Sequence, residues 1–260
     1  MILYKDGTLP DGIEARIIDD SKKEFNPITA YTLVNGKVDG YFYKKINMDK
    51  VRSRYNGNYA QLLIEYYLKI RKLVLSNKIM EIFSNDGDVY EIANYINPEK
   101  ILCDNNDIKF DEMKRLFAKA LEGINRMEYQ GDRTLGIDSS IWNYTKDGLF
   151  FDYDPPKILR GNSLFITPDE DYKKRVLYRN FDYIGMKANT LGTVILGNIN
   201  WNFNITELPD TYAYDLVAIF LESIENKEDR ERLRNEIFGD QDVKTFTMHP
   251  INIVRKELKK

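Results

Sequence analysis

The feature that most constrains this chain is a change of hydrophobic period near Pro98. Upstream, short segments alternate apolar and polar residues in the manner of half-buried strands, with a single helical stretch among them. Downstream, apolar residues recur at helical spacing, interrupted by one small hairpin. The segments Glu14 to Asp19, Ile28 to Val34 and Lys37 to Ile46 are expected as three strands. Asn35-Gly36 closes the second pair, because both residues tolerate positive φ. From Tyr59 to Leu75 the residues Leu62, Leu63, Tyr66, Ile70, Leu73 and Val74 predict a helix in which Glu65 is the only acidic residue. Strands at Lys78 to Phe83 and Val89 to Ile96 follow, joined by Asn85-Asp86-Gly87.

Beyond Pro98 an amphipathic helix is expected over Asp111 to Tyr129, with Asp111 as its N-cap. Two short strands, Ile141 to Thr145 and Leu149 to Tyr153, flank the turn Lys146-Asp147-Gly148. After Pro155-Pro156, helices are expected at Asp169 to Arg179, Tyr183 to Leu196, Tyr212 to Ile224 and Lys227 to Phe238. The arrangement implies two lobes meeting near residue 97, with a cleft between them where a ligand would sit. With 43% hydrophobic residues in 260, the chain has enough apolar material for a sizeable core.

Composition narrows the chemistry. One cysteine, Cys103, rules out an intramolecular disulfide, and with a single histidine, His249, it argues against a zinc site. A metal here would sit on oxygen ligands, which points to magnesium or calcium. The lone histidine lies far towards the C-terminus and offers no support for a histidine-based triad. The 38 basic and 41 acidic residues give a net charge of -3 with no basic patch, so nucleic acid is not an expected partner. Met1 to Pro10 lacks the basic and apolar regions of a signal peptide, and no run of about 18 apolar residues occurs. A cytoplasmic protein without a membrane span is expected.

One constellation carries chemistry. Asp138 is followed five residues on by Asn143, then by a compact hairpin and Phe150-Phe151-Asp152-Tyr153-Asp154. Phosphoryl transfer needs a cation on the phosphates, carboxylate and amide groups to hold it, and a base near the acceptor hydroxyl. Asp152 and Asp154 flank one residue of a strand, so both face one side and repel unless a cation lies between them. Neither G-x-x-x-x-G-K-[ST] nor G-x-G-x-x-G occurs anywhere in the chain.

These residues resemble the protein-kinase-like superfamily, and within it the aminoglycoside phosphotransferase and choline kinase branch. The resemblance covers residues 14 to 156 in order and approximate spacing. It implies a bilobal α+β fold: an ATP-binding lobe over 1–97 with a hinge at about 93–97, and a helical lobe over 98–260. It implies Asp138 as catalytic base, and magnesium on Asn143 and Asp152, with Asp154 as an extra ligand. Tyr41-Phe-Tyr-Lys44-Lys45-Ile46 is similar to the strand whose lysine contacts the ATP phosphates, with Lys44 in that role and Glu65 pairing with it. Ala93, Asn94 and Tyr95 fall where backbone groups would hold adenine, and Ser21 where a hydroxyl would meet a phosphate. The implied activity is ATP- and Mg2+-dependent phosphorylation of a small-molecule hydroxyl. A nucleotide-binding pseudokinase is the alternative, and a protein kinase a more distant one.

Four departures mark the chain. Gly136 stands where the family carries a histidine, two residues before the catalytic aspartate. The gap from Asn143 to Asp152 is short, which leaves Asp152 and Asp154 as alternatives. Pro155-Pro156 occupy the start of what would be an activation segment, and the loop Asp19 to Pro27 has no glycine.

Overall fold

A computed structural model describes residues 13–17, 28–35, 41–46, 65–66, 68–70, 79–85, 88–94, 100, 102, 107–131, 133–151, 157–158, 170–199, 203–239 and 249–260. It is an α+β architecture. Five strands, β1 (Ile13–Ile17), β2 (Ile28–Asn35), β3 (Tyr41–Ile46), β4 (Ile79–Asn85) and β5 (Asp88–Asn94), form one antiparallel sheet in the order β1-β2-β3-β5-β4. Their alternating sequences account for the strands. β3 is central, and its Lys44 pairs in register with Ala30 on β2 and Glu91 on β5. Residues 65–66 and 68–70 are helical, as the periodicity predicts, and bury Tyr66 and Ile70.

The rest is mainly helical: α1 (Phe110–Gln130), α2 (Glu170–Phe181), α3 (Tyr183–Ile199), α4 (Tyr212–Glu222), α5 (Lys227–Phe238) and α6 (His249–Leu258). Two small sheets complete it. β6 (Asp107–Lys109) runs parallel to β9 (Asn204–Thr206), and β7 (Leu135–Gly136) runs antiparallel to β8 (Lys157–Ile158). α3 is the hub of the core. Its Met186, Leu191, Val194 and Ile195 are buried in one cluster with Phe117 and Ile124 of α1, Phe220 of α4 and Val254 of α6. Each fully buried side chain of this size contributes about 1.5–3 kcal/mol.

Asp111 is not the N-cap of α1. Strand β6 runs straight into the helix, so paired Lys109 occupies the cap position and makes no side-chain cap. Asp111 lies in the first turn, 2.8 Å from Lys114, whose ammonium holds its carboxyl below the usual range. The segment expected as strand Ile141 to Thr145 instead begins as a 3-10 turn, Ile141–Asn143. Tyr144 and Phe150 then pair across the turn as a β-bridge, and the expected partners 152–153 lie outside the described residues. Among the described residues no helix is long and apolar enough to cross a membrane.

Candidate active site

The end of α1, the strand β7 and the buried face of α3 together deliver the loop that carries Asp138 and Asn143. The backbone N–H of Ser140 and its hydroxyl both donate to Asp138 Oδ1, at 3.2 and 2.6 Å. Asn143 closes the loop from the other side: its Nδ2 donates to the Asp138 carbonyl at 3.0 Å, and its N–H to the Ser140 carbonyl at 2.9 Å. The two residues singled out by spacing are therefore fastened to each other. Asn143 is buried and Asp138 half-buried.

Polar side chains from α3 hold this loop from behind. Ser139 Oγ donates to the Met186 carbonyl (2.8 Å), and Thr190 Oγ1 donates to the Ser139 carbonyl (2.8 Å). Asn189 Nδ2 reaches Ser139 Oγ at 3.2 Å, while its Oδ1 accepts from Arg179 Nε at 2.8 Å. The Ile141 N–H donates to Thr193 Oγ1 at 2.9 Å. Asn189, Thr190 and Thr193 are all buried, and each hydrogen bond answers a polar group that burial would otherwise strand.

The structure accounts for glycine at 136. A Cβ there would lie 2.5 Å from the Asn180 carbonyl oxygen and 2.8 and 2.9 Å from two atoms of the Phe181 ring. The C-terminal turn of α2 thus occupies the space a histidine would need. The same Asn180 carbonyl accepts the Ile137 N–H at 3.0 Å, and Gly136 pairs with Lys157 across β7–β8.

After Asn143 the chain turns back on itself. Its carbonyl accepts the Phe151 N–H at 3.0 Å, and Thr145 N–H donates to the Leu149 carbonyl at 2.8 Å. Gly148 takes φ +85°, a conformation that glycine adopts without strain, and Lys119 of α1 packs against it. The Lys119 ammonium donates to the Asp147 carbonyl at 3.0 Å. The Tyr144 and Phe150 rings meet with centroids 5.3 Å apart. The Tyr144 hydroxyl is buried without a hydrogen-bond partner; burial first, and the Asp138 charge second, push its proton affinity up.

The other expected residues are placed less completely. Lys44 lies at the centre of the sheet, and Ala93 and Asn94 are the last two residues of β5. Glu65 is half-exposed, 3.7 Å from Lys69 one turn along, and Lys69 reaches Thr134 Oγ1 at 3.4 Å, just before β7. Ser21, Tyr95, Asp152 and Asp154 lie outside the described residues, as does the side chain of Lys44, so the choice between the two aspartates and the pairing of Glu65 with Lys44 are not placed. Among the described residues no three acidic, histidine or cysteine side chains cluster as a metal site.

Sequence reasoning missed Ser139, Ser140, Asn189, Thr190, Thr193 and the Asn180-Phe181 corner. One signal was available: three polar residues at i, i+1 and i+4 within the apolar stretch of α3.

No family model matches the chain, and no curated protein matches it. Among solved structures it is similar to the Cydia pomonella granulovirus kinase, PK-1. That match has 14% sequence identity and a TM-score of 0.47, and covers 95% of this chain and 87% of that one. At that level the likeness says nothing of chemistry.

Proposed function

We propose that the chain is an ATP- and magnesium-dependent phosphotransferase of the protein-kinase-like class, acting on a hydroxyl of a small molecule such as an antibiotic, amino alcohol, sugar or biosynthetic intermediate. The observation that carries this reading is the closure of the Asp138–Asn143 loop by the amide-to-carbonyl hydrogen bond. It commits the Asn143 nitrogen and leaves the oxygen of the same amide as the group to meet a cation. An oxygen-only set made of Asn143 with Asp152 or Asp154 fits a hard cation such as magnesium. The order of elements supports the reading too: an antiparallel sheet with a central lysine, then α1, the Asp/Asn loop and a hairpin leading to the acidic pair.

In this reading Asp138 takes the proton of the acceptor hydroxyl. The hydroxyl oxygen forms a bond to the γ-phosphorus, the bond to the bridging oxygen breaks, and ADP leaves with that electron pair. Magnesium, when bound, neutralises charge on the phosphates. Lys44 would steady the α- and β-phosphates with Glu65 setting its position, Ser21 would meet a phosphate, and backbone groups at Ala93, Asn94 and Tyr95 would receive adenine. The residues 1–97 would form the nucleotide lobe and 98–260 the acceptor lobe.

A scaffold that binds nucleotide without turnover draws its argument from the missing histidine and from the glycine-free loop Asp19 to Pro27. The filled corner at Gly136 answers the first point, since the loop is held by other means. Asp182, an acidic candidate for a cationic acceptor, accepts the Gly185 N–H at 2.7 Å and so serves the start of α3.

The test is phosphate release from ATP and magnesium, with water as acceptor, by the wild type and by Asp138→Asn. Loss of a general base lowers turnover by about 10²–10⁴-fold. Undiminished turnover in D138N sinks the assignment of the base. No thermal stabilisation of the wild type by ATP with magnesium or manganese sinks the nucleotide site as well.

A further inference from the structure

We infer that Ser140 is a positioning residue for the proposed phosphoryl transfer, orienting the Asp138 carboxylate; this rests on the reading of Asp138 as base. Ser140 is 2% exposed, yet it spends three polar groups on this one loop. Its hydroxyl donates to Asp138 Oδ1 at 2.6 Å, and its N–H donates to the same oxygen at 3.2 Å. Its carbonyl accepts the Asn143 N–H at 2.9 Å. Asn143 in turn bonds the Asp138 carbonyl, so the base, the cation ligand and Ser140 form one closed ring of hydrogen bonds.

The two bonds to Oδ1 act differently. The backbone N–H alone makes the local turn an aspartate commonly forms with the residue two ahead, and it survives any side-chain change. The hydroxyl adds the shorter, charge-assisted bond, which holds the plane of the carboxylate rather than the course of the chain. Ser139 next door has the structural role, facing α3 through the Met186 carbonyl and Asn189. The two adjacent serines therefore have separate roles. Ser139 anchors the loop, and Ser140 aims the side chain that reacts. Misdirection of a reacting group affects the chemical step and not the binding of nucleotide.

The experiment measures kcat and KM for ATP, with magnesium and water as acceptor, in wild type, Ser140→Ala, Ser140→Cys and Ser140→Thr, with melting temperatures alongside. Loss of a hydrogen bond to a charged group predicts a fall in kcat of about tenfold to a hundredfold in S140A, with KM for ATP unchanged within about twofold. S140C keeps about the size of the side chain with a weaker donor, so its kcat falls between those of serine and alanine. S140T restores the hydroxyl and recovers most of kcat. Wild-type kcat in S140C or S140A, with D138N inactive, overturns the role of Ser140 and leaves Asp138 standing. Undiminished D138N overturns the base and the inference with it. A rise in KM that equals the loss in kcat/KM also overturns the inference, because the effect then lies in nucleotide binding.

Discussion

Replacing Gly136 by alanine tests how the loop is held at the position where the resemblance implied a histidine. The new Cβ would stand 2.5 Å from the Asn180 carbonyl oxygen and under 3 Å from the Phe181 ring. Ordinary contact begins near 3.4 Å, so β7 and the end of α2 would have to separate by roughly 1 Å. The Phe181 ring is a side chain that can swing. The Asn180 oxygen is backbone and also holds the Ile137 N–H, so separation strains that bond. Overpacking of this kind costs about 1–3 kcal/mol. For a chain of this size, melting would fall by roughly 2–12 °C. The proposed activity would fall as well, because a shift of about 1 Å in a reacting group can cost about 10²-fold in rate. Urea unfolding and phosphate release from ATP and magnesium measure the two effects. Phe181 is buried, so Phe181→Ala destabilises on its own, but it should cost less in the G136A background than in the wild type, since it removes the ring that the new Cβ meets. If G136A melts and turns over as the wild type does, then the α2 corner does not hold the loop and the account of the missing histidine fails.

Three further outcomes are expected. Thr193→Val removes the acceptor of the buried Ile141 N–H and should cost about 1–3 kcal/mol by urea unfolding, with turnover also reduced; an unchanged midpoint contradicts it. Tyr144→Phe deletes a buried hydroxyl that has no partner, and should leave stability unchanged or raise it by about 1 kcal/mol in the same assay; marked destabilisation would reveal a partner for that hydroxyl. Glu257 gives the pH dependence. Burial raises its carboxyl, but hydrogen bonds from Lys260 (2.6 Å) and Tyr212 (2.5 Å) and the Lys260 charge outweigh it, and the net shift is downward from 4.5. A depressed carboxyl adds stability above its unfolded value and loses it as pH falls through the folded one. Glu257→Gln should therefore destabilise near neutrality, and the difference should shrink as pH falls below 4.5 through the depressed folded value; a constant difference down through that range contradicts it.

The parts of the fold legible in the sequence are those with long periodic patterns. All five strands of the main sheet were expected within a few residues, because each alternates and two of the turns carry Asn-Gly or Asp-Gly. Among the described residues, the helical stretch at 65–70 and five of the six helices α1 to α6 were expected for the same reason. The sixth, α6, was missed although Pro250 at its second position is a helix-start signal. β6 to β9 have two or three residues each, too few to show a period. The error at Asp111 has the same source, since nothing local reveals that a paired strand precedes the helix. In the candidate site, Asp138 and Asn143 could be singled out by their spacing, and one hydrogen bond joins them. Ser140, Asn180, Phe181 and Thr193 were not, because each acts through a contact that only the folded chain creates.

The central claim is that the Asp138–Asn143 loop is a phosphoryl-transfer site. A crystal structure with a non-hydrolysable ATP analogue and magnesium measures it directly. The account predicts a magnesium ion on the Asn143 amide oxygen and on Asp152 or Asp154, with the terminal phosphate facing the Asp138 carboxylate and Lys44 on the inner phosphates. A nucleotide bound elsewhere, or a magnesium ion that makes no contact with Asn143, would contradict it.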